Sequence, residues 1–182
     1  MLKFFVPPHS WAFTPAQCDS IVGAVDGWGA PSLVAGTQEV TVATNPKFAW
    51  MVAHVMNVAV ATNGVLWDRS INQLQKLQII RYPAGAALFA HCDDLVSCEP
   101  AGFDQAASVD GTGERTVSVV GQLSDPDSYE GGRLVFTVDG GQVVVPVDQG
   151  TLAVFGADIV HEVRKVVSGD RYSFSAFFTR RR

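Results

Sequence analysis

Cysteine is scarce in this chain, charge is sparse and long apolar runs are missing. Cys18, Cys92 and Cys98 are an odd number with no C-x-x-C pair. Neither a disulfide framework nor a thiolate zinc site is indicated, and reduced thiols are the expectation. Charged residues make up only 17% of the chain, 13 basic against 18 acidic, for a formal net charge of −5. That sign is wrong for a protein that gains affinity by neutralising phosphates, so no nucleic-acid partner is expected. The one basic run, Arg180 to Arg182, reads as a solvated tail. No stretch reaches the roughly 18 to 20 uninterrupted apolar residues of a membrane-spanning helix. Pro7, Pro8 and His9 interrupt the apolar opening before a signal-peptide core of about 7 to 15 residues can form. A soluble, cytoplasmic chain without a membrane partner is the expectation.

The 182 residues, 47% of them apolar, suit one domain, 1–182, with a sizeable core. Residues 1–70 read as helical support. Thr14-Pro15 is an N-cap and N1 pair, followed by Cys18, Ile21, Val22 and Val25 at helical spacing and ended by Gly27 and Gly29. A second helix is predicted over Lys47 to Ala61, with Phe48, Met51, Val52, Val55, Met56 and Ala59 on one stripe and Asn63-Gly64 as its stop. His54 within it reads as a structural histidine. From residue 71 onward short runs rich in Val, Ile, Phe and Tyr alternate with Gly, Pro, Asp and Ser. Eight strands are predicted there: Gln75 to Tyr82, Leu88 to His91, Arg115 to Leu123, Arg133 to Val138, Gln142 to Val147, Thr151 to Phe155, His161 to Val166 and Tyr172 to Phe178. Tight connections such as Asp139-Gly140-Gly141 favour a mainly β fold, a double-stranded β-helix or jelly roll over 71–182 with the N-terminal α-helices buttressing one outer face. The longest irregular piece is Asp94 to Glu114.

His91-Cys92-Asp93 is an H-x-D triplet. On an extended strand the first and third residues share a face, so an imidazole and a carboxylate converge there while Cys92 points away. His161 lies far enough downstream to return on a facing strand. Two imidazoles and one carboxylate on one face of an octahedral metal leave the opposite face open, which suits non-haem Fe(II); catalytic zinc is served less well without an adjacent general base. Beyond them, Arg171 and Ser173 share a face of the last strand, where a guanidinium and a hydroxyl can grip one carboxylate. An arginine aimed into a barrel needs an anionic partner.

Several ordered motifs between about Leu74 and Phe178 resemble the Fe(II)/2-oxoglutarate dioxygenases of the prolyl 4-hydroxylase type, most closely the bacterial and phage-borne PKHD-type branch. They are Arg81-Tyr82-Pro83-Ala84-Gly85 with His91-x-Asp93; Arg115 through Leu123-Ser124-Asp125-Pro126 to Tyr129-Glu130-Gly131-Gly132-Arg133-Leu134; and His161-Glu162-Val163 with Gly169 and Arg171-Tyr172-Ser173. The resemblance implies that His91, Asp93 and His161 hold iron, that Arg171 pairs with the distal carboxylate of 2-oxoglutarate, and that Ser173 and the Tyr82 hydroxyl support it. It implies hydroxylation of an unactivated C–H bond with dioxygen, releasing succinate and carbon dioxide, with ascorbate as a candidate reductant. The substrate class it favours is a prolyl or other peptidyl side chain, with small molecules open, in a bacterial cytoplasm or that of a phage host. Asp94 to Glu114 and Ser124 to Tyr129 are the candidate lid.

Two positions depart from the pattern: Leu88 stands where many relatives carry an aromatic, and Arg133 where an acidic residue is usual. Two other readings stay open, a jelly-roll binding module without turnover and a cupin-like metalloenzyme without 2-oxoglutarate. Neither accounts for Arg171 with Ser173.

Overall fold

A computed structural model describes residues 3–69, 71, 73–94 and 114–180. Among the described residues, twelve strands and two α-helices follow one another as β1 (Phe4–Phe5), α1 (Pro15–Gly23), β2 (Gln38–Thr41), α2 (Ala49–Leu66), β3 (Gln73–Tyr82), β4 (Leu88–His91), β5 (Glu114–Gln122), β6 (Tyr129–Gly131), β7 (Leu134–Val138), β8 (Gly141–Val144), β9 (Leu152–Gly156), β10 (Val160–Val163), β11 (Val166–Gly169) and β12 (Arg171–Arg180). A six-stranded sheet has the order β1-β9-β5-β12-β3-β2 and a four-stranded sheet the order β4-β10-β7-β8; β11 and β6 form a separate pair. The pairings are antiparallel. The expected jelly roll with helical support is the fold.

Period-two alternation divides the large sheet between two cores. On β9, Leu152 and Val154 pack with α1 and α2, whereas Ala153 and Phe155 face the interior of the roll. On β12, Phe174, Ala176 and Phe178 face the helices. Arg171 and Ser173, earlier on the same strand and of the opposite parity, are buried on the inner side. The helical side of the sheet is thus an ordinary apolar core, and the polar residues gather on the other.

The N-cap of α1 is as expected: Thr14 Oγ1 accepts from Gln17 N at 3.3 Å, and Gln17 Oε1 accepts from Thr14 N at 2.8 Å. His54 contacts the Trp11 carbonyl at 2.8 Å through Nε2, a structural contact.

Several elements differ from expectation, among them α1, which ends at Gly23, β8, which ends at Val144, and β6, which was not expected. Helix α2 runs through Asn63-Gly64 to Leu66. The Asn63 side chain is used elsewhere, bonding the backbone N–H and carbonyl of Arg69 at 3.1 and 2.7 Å. The expected strand His161 to Val166 is two strands, β10 and β11, which pair with different partners. Residues 1–70 are not helical throughout, since β1 and β2 extend the large sheet at its two edges. Among the described residues one helical stretch, Pro46–Leu66, is long and apolar enough to cross a membrane by length and composition. In this fold its residues Met51, Val55, Val58 and Ala59 lie in the core against the sheet.

Candidate metal centre

Strands β4 and β10 pair with His91 directly opposite His161. The two imidazole centroids lie 4.3 Å apart. Asp93 follows β4 in a bend and reaches both rings: Oδ1 is 3.7 Å from His91 Nε2, and Oδ2 is 3.8 Å from His161 Nε2. One ligand atom from each residue lies within 4.8 Å of the others. Side-chain exposure is 14% for His91 and 5% for both Asp93 and His161, so water does little to solvate the carboxylate.

The remaining ring nitrogens are already engaged. His91 Nδ1 contacts the Phe89 carbonyl at 2.7 Å and His161 Nδ1 the Ile159 carbonyl at 3.0 Å. A carbonyl can only accept, so each Nδ1 carries the proton and each Nε2 lone pair is directed at Asp93's side of the site. Burial, followed by the neighbouring His161, pushes the His91 pKa below the ordinary histidine value and favours the neutral ring. Asp93 Oδ2 is buried with no hydrogen-bond partner. An orphaned carboxylate oxygen between two neutral imidazole nitrogens fits a divalent cation, and two nitrogens with one oxygen on a single face suit non-haem iron.

The three residues expected to hold a dicarboxylate also come together, on the large sheet. Arg171 pairs with Tyr82 in register across β12 and β3. Its Nη1 donates to Ser173 Oγ at 3.3 Å, and its guanidinium carbon is 4.9 Å from the centre of the Tyr82 ring. Arg171, Tyr82 and Ser173 are each no more than 2% exposed. Burial raises the Tyr82 pKa, with the Arg171 charge opposing. Among the described residues no carboxylate forms an ion pair with Arg171. A buried guanidinium in that condition is costly unless an anion joins it, and a cavity opens beside it, lined by Val120, Gln122, Gly132, Leu134 and Thr151.

Gln122 on this wall escaped the sequence reading. Its signal was parity, for it lies two residues beyond the inward Val120 on β5. Its Nε2 donates to the Tyr129 hydroxyl at 2.8 Å. Of the two candidate lid segments, residues 95–113 lie outside the described residues. The other, Ser124 to Tyr129, is fastened instead of loose: Ser124 Oγ accepts from Tyr172 N at 2.6 Å, and Asp125 Oδ1 accepts from Asp127 N at 3.0 Å. Cys92 points away from the two ligands beside it, its Sγ 3.5 Å from the Asp158 carbonyl. It is disulfide-bonded, which corrects the expectation of reduced thiols at this position. Cys98 lies outside the described residues, and Cys18 is a buried free thiol.

Residues 77–179 match the family model described as the 2OG-Fe(II) oxygenase superfamily. A PKHD-type hydroxylase of Shewanella baltica (strain OS185) is 31% identical over 91 residues, 50% of this chain and 37% of that one. Another from Methylobacterium nodulans is 35% identical over 99 residues, covering 54% and 39%. The chain therefore spans less than two-fifths of the length of these curated relatives. Among solved structures, a Pseudomonas putida prolyl-4-hydroxylase superposes with a TM-score of 0.72 at 21% identity, over 99% of this chain and 94% of that one. The viral collagen prolyl hydroxylase of Paramecium Bursaria Chlorella virus-1, in its 2OG complex, gives 0.71 at 14% identity, over 100% and 97%. These two share the fold.

Proposed function

Because the chain belongs to the 2OG-Fe(II) oxygenase superfamily, we propose that it is a 2-oxoglutarate-dependent hydroxylase in which His91, Asp93 and His161 hold the iron and Arg171, Ser173 and Tyr82 receive the cosubstrate. The observation that carries this reading is Arg171. It is 2% exposed and borders a cavity, with no carboxylate paired to it among the described residues. A dicarboxylate supplies the missing charge.

Bound iron would supply the activation of dioxygen that hydroxylation of an unactivated C–H bond demands, with succinate and carbon dioxide as coproducts. The protein's own contributions are geometric and electrostatic. Phe89 and Ile159 carbonyls hold the proton on Nδ1 of each histidine, which keeps the Nε2 lone pairs for the metal. Ser173 steadies the Arg171 fork through its Oγ, and the Tyr82 ring covers the guanidinium and shuts water out of that end. Phe155 packs 4.9 Å from the His161 ring and would keep water from that side of a bound ion.

The substrate in this reading is a prolyl or other peptidyl side chain. Support comes from relatives named PKHD-type hydroxylases and from a structural neighbour, a Trichoplax adhaerens prolyl hydroxylase solved in complex with a peptide fragment. Anaerobic addition of Fe(II) and 2-oxoglutarate tests the site: a visible metal-to-ligand charge-transfer band is expected only with both present. Succinate release across prolyl peptides and free amino acids then identifies the substrate. A protein loaded with iron that gives no band with 2-oxoglutarate would overturn the assignment.

A further inference from the structure

Two of the three metal ligands are held by a single turn. Residues 156–159 connect β9 to β10, closed by the Ile159 N–H donating to the Gly156 carbonyl at 3.0 Å. The next carbonyl, Ala157, accepts from Asp94 N at 2.8 Å and so fixes the backbone beyond Asp93. The Ile159 carbonyl accepts from His161 Nδ1 at 3.0 Å and sets the rotation of that ring. Asp93 sits in a bend after its strand has ended, so ladder bonds do not fix its direction. The turn does.

The turn is itself clamped from outside the metal site. Arg69 Nη1 donates to Asp158 Oδ1 at 2.9 Å and to the Thr116 carbonyl at 3.1 Å. That carbonyl also accepts from Ala157 N at 3.1 Å, which ties the turn to β5 at the same point. Arg69 is held at its own backbone by Asn63, near the end of α2. Gly156 makes the room: a Cβ there would lie 2.4 Å from Asp158 Oδ1 and 2.8 Å from both Nη atoms of Arg69. The side chains of the pair are 33% and 44% exposed, and an ion pair so open contributes little to global stability. Its effect falls on the turn.

We infer that Arg69 and Asp158 are positioning residues for the metal centre, acting through the 156–159 turn on Asp93 and His161. The inference rests on the reading of His91, Asp93 and His161 as metal ligands, and Co(II) binding by the unaltered chain checks that reading separately. Removal of groups that orient metal ligands typically weakens metal binding by about 10- to 100-fold. Arg69→Met in the full chain should raise the Co(II) dissociation constant, read from the visible d–d absorption, by about tenfold, with Arg69→Lys intermediate. The paramagnetically shifted, exchangeable Nδ1–H resonance of His161 should move in Arg69→Met, while the melting temperature of the metal-free protein stays within about 2 °C, as for an exposed ion pair. Asp158→Asn, which keeps the side-chain shape, should reproduce the loss, and the double variant should lose no more than either single one. Should Arg69→Met not fold, Asp158→Asn decides alone. Co(II) affinity within twofold of the parent in the folded variants, or an unmoved His161 resonance, overturns the inference even where the parent binds Co(II) well. A parent chain that binds no Co(II) overturns the metal reading and the inference with it.

Discussion

Arg171 and Tyr82 face each other in register across β12 and β3, the guanidinium carbon 4.9 Å from the ring centre and both side chains buried. The ring covers the cation without neutralising it, and in the function proposed above the pair is the socket for the cosubstrate's carboxylate. Replacing Arg171 by Met should weaken 2-oxoglutarate binding by about 100-fold, the scale of a lost charge-assisted hydrogen bond in a buried site. Lys should recover only part of it, since a point charge cannot reproduce the guanidinium fork. Co(II) affinity should be unchanged in both. Calorimetric titration of the metal-loaded protein checks all three statements, and equal 2-oxoglutarate affinity in parent and Met variant would remove Arg171 from the socket.

Gly132 forms the back of that socket. Its φ is +59°, and a Cβ would lie 2.8 Å from Arg171 Cδ and 3.0 Å from Val166 Cγ2. Gly132→Ala therefore has to displace Arg171 in addition to straining the backbone. The expected result is a rise of at least tenfold in the 2-oxoglutarate dissociation constant together with a fall of about 1–2 kcal/mol in urea-measured stability. A variant that loses stability yet binds 2-oxoglutarate as before would show that Arg171 does not lean on this glycine.

Cys18 offers a pH test of the helical core. The thiol is fully buried between α1 and the sheet, and burial, assisted by the Asp19 charge, pushes its pKa from 9.0 up to about 12. Between those values the unfolded chain releases a proton that the folded chain keeps. The unfolded state binds fewer protons there, so stability must fall as pH rises from about 9 towards 12 and be fully present below 9. Urea unfolding at pH 8 and at pH 10.5 should show that decline, with Cys18→Ala showing a shallower one. Rapid alkylation of Cys18 in the folded protein at pH 8 would contradict the burial.

The residues assigned to the site were legible as candidates because strand period brings such pairs together. Arg171 and Ser173 are separated by one residue on β12, and alternation puts the pair on one face; His91 ends β4 and Asp93 lies in the bend after it, so there alternation indicated the pair but does not by itself hold it. The division of β9 between two cores follows the same rule. What escaped the sequence depends on contacts between distant segments. The opposition of His161 and His91 needs a register that local pattern does not encode. Arg69 and Asp158 are separated by 89 positions and meet only because α2 and the β9–β10 turn arrive at the same corner. Asn63-Gly64 resembles a helix stop, but the helix continues to Leu66 and the asparagine side chain instead bonds the backbone of Arg69, six residues on, around the helix end. The disulfide at Cys92 was hidden by the odd number of cysteines, which gives no pairing by itself.

Asp93 separates the cost of the metal site from its use. Its Oδ2 is buried and unpaired, so the metal-free protein carries a desolvated carboxylate oxygen whose penalty is of order 1–3 kcal/mol. Asp93→Asn keeps the shape and removes the charge. The metal-free variant should therefore melt a few degrees above the metal-free parent, as expected for relief of that size. With metal the order should reverse, because a neutral amide is a poor ligand for a divalent cation: saturating Co(II) should raise the parent's melting temperature and leave the variant's nearly unmoved. Differential scanning fluorimetry with and without Co(II) reads both halves in one experiment. A variant that gains as much from Co(II) as the parent would mean that Asp93 is not a ligand. One that melts lower than the metal-free parent would mean that the carboxylate is already satisfied within the fold.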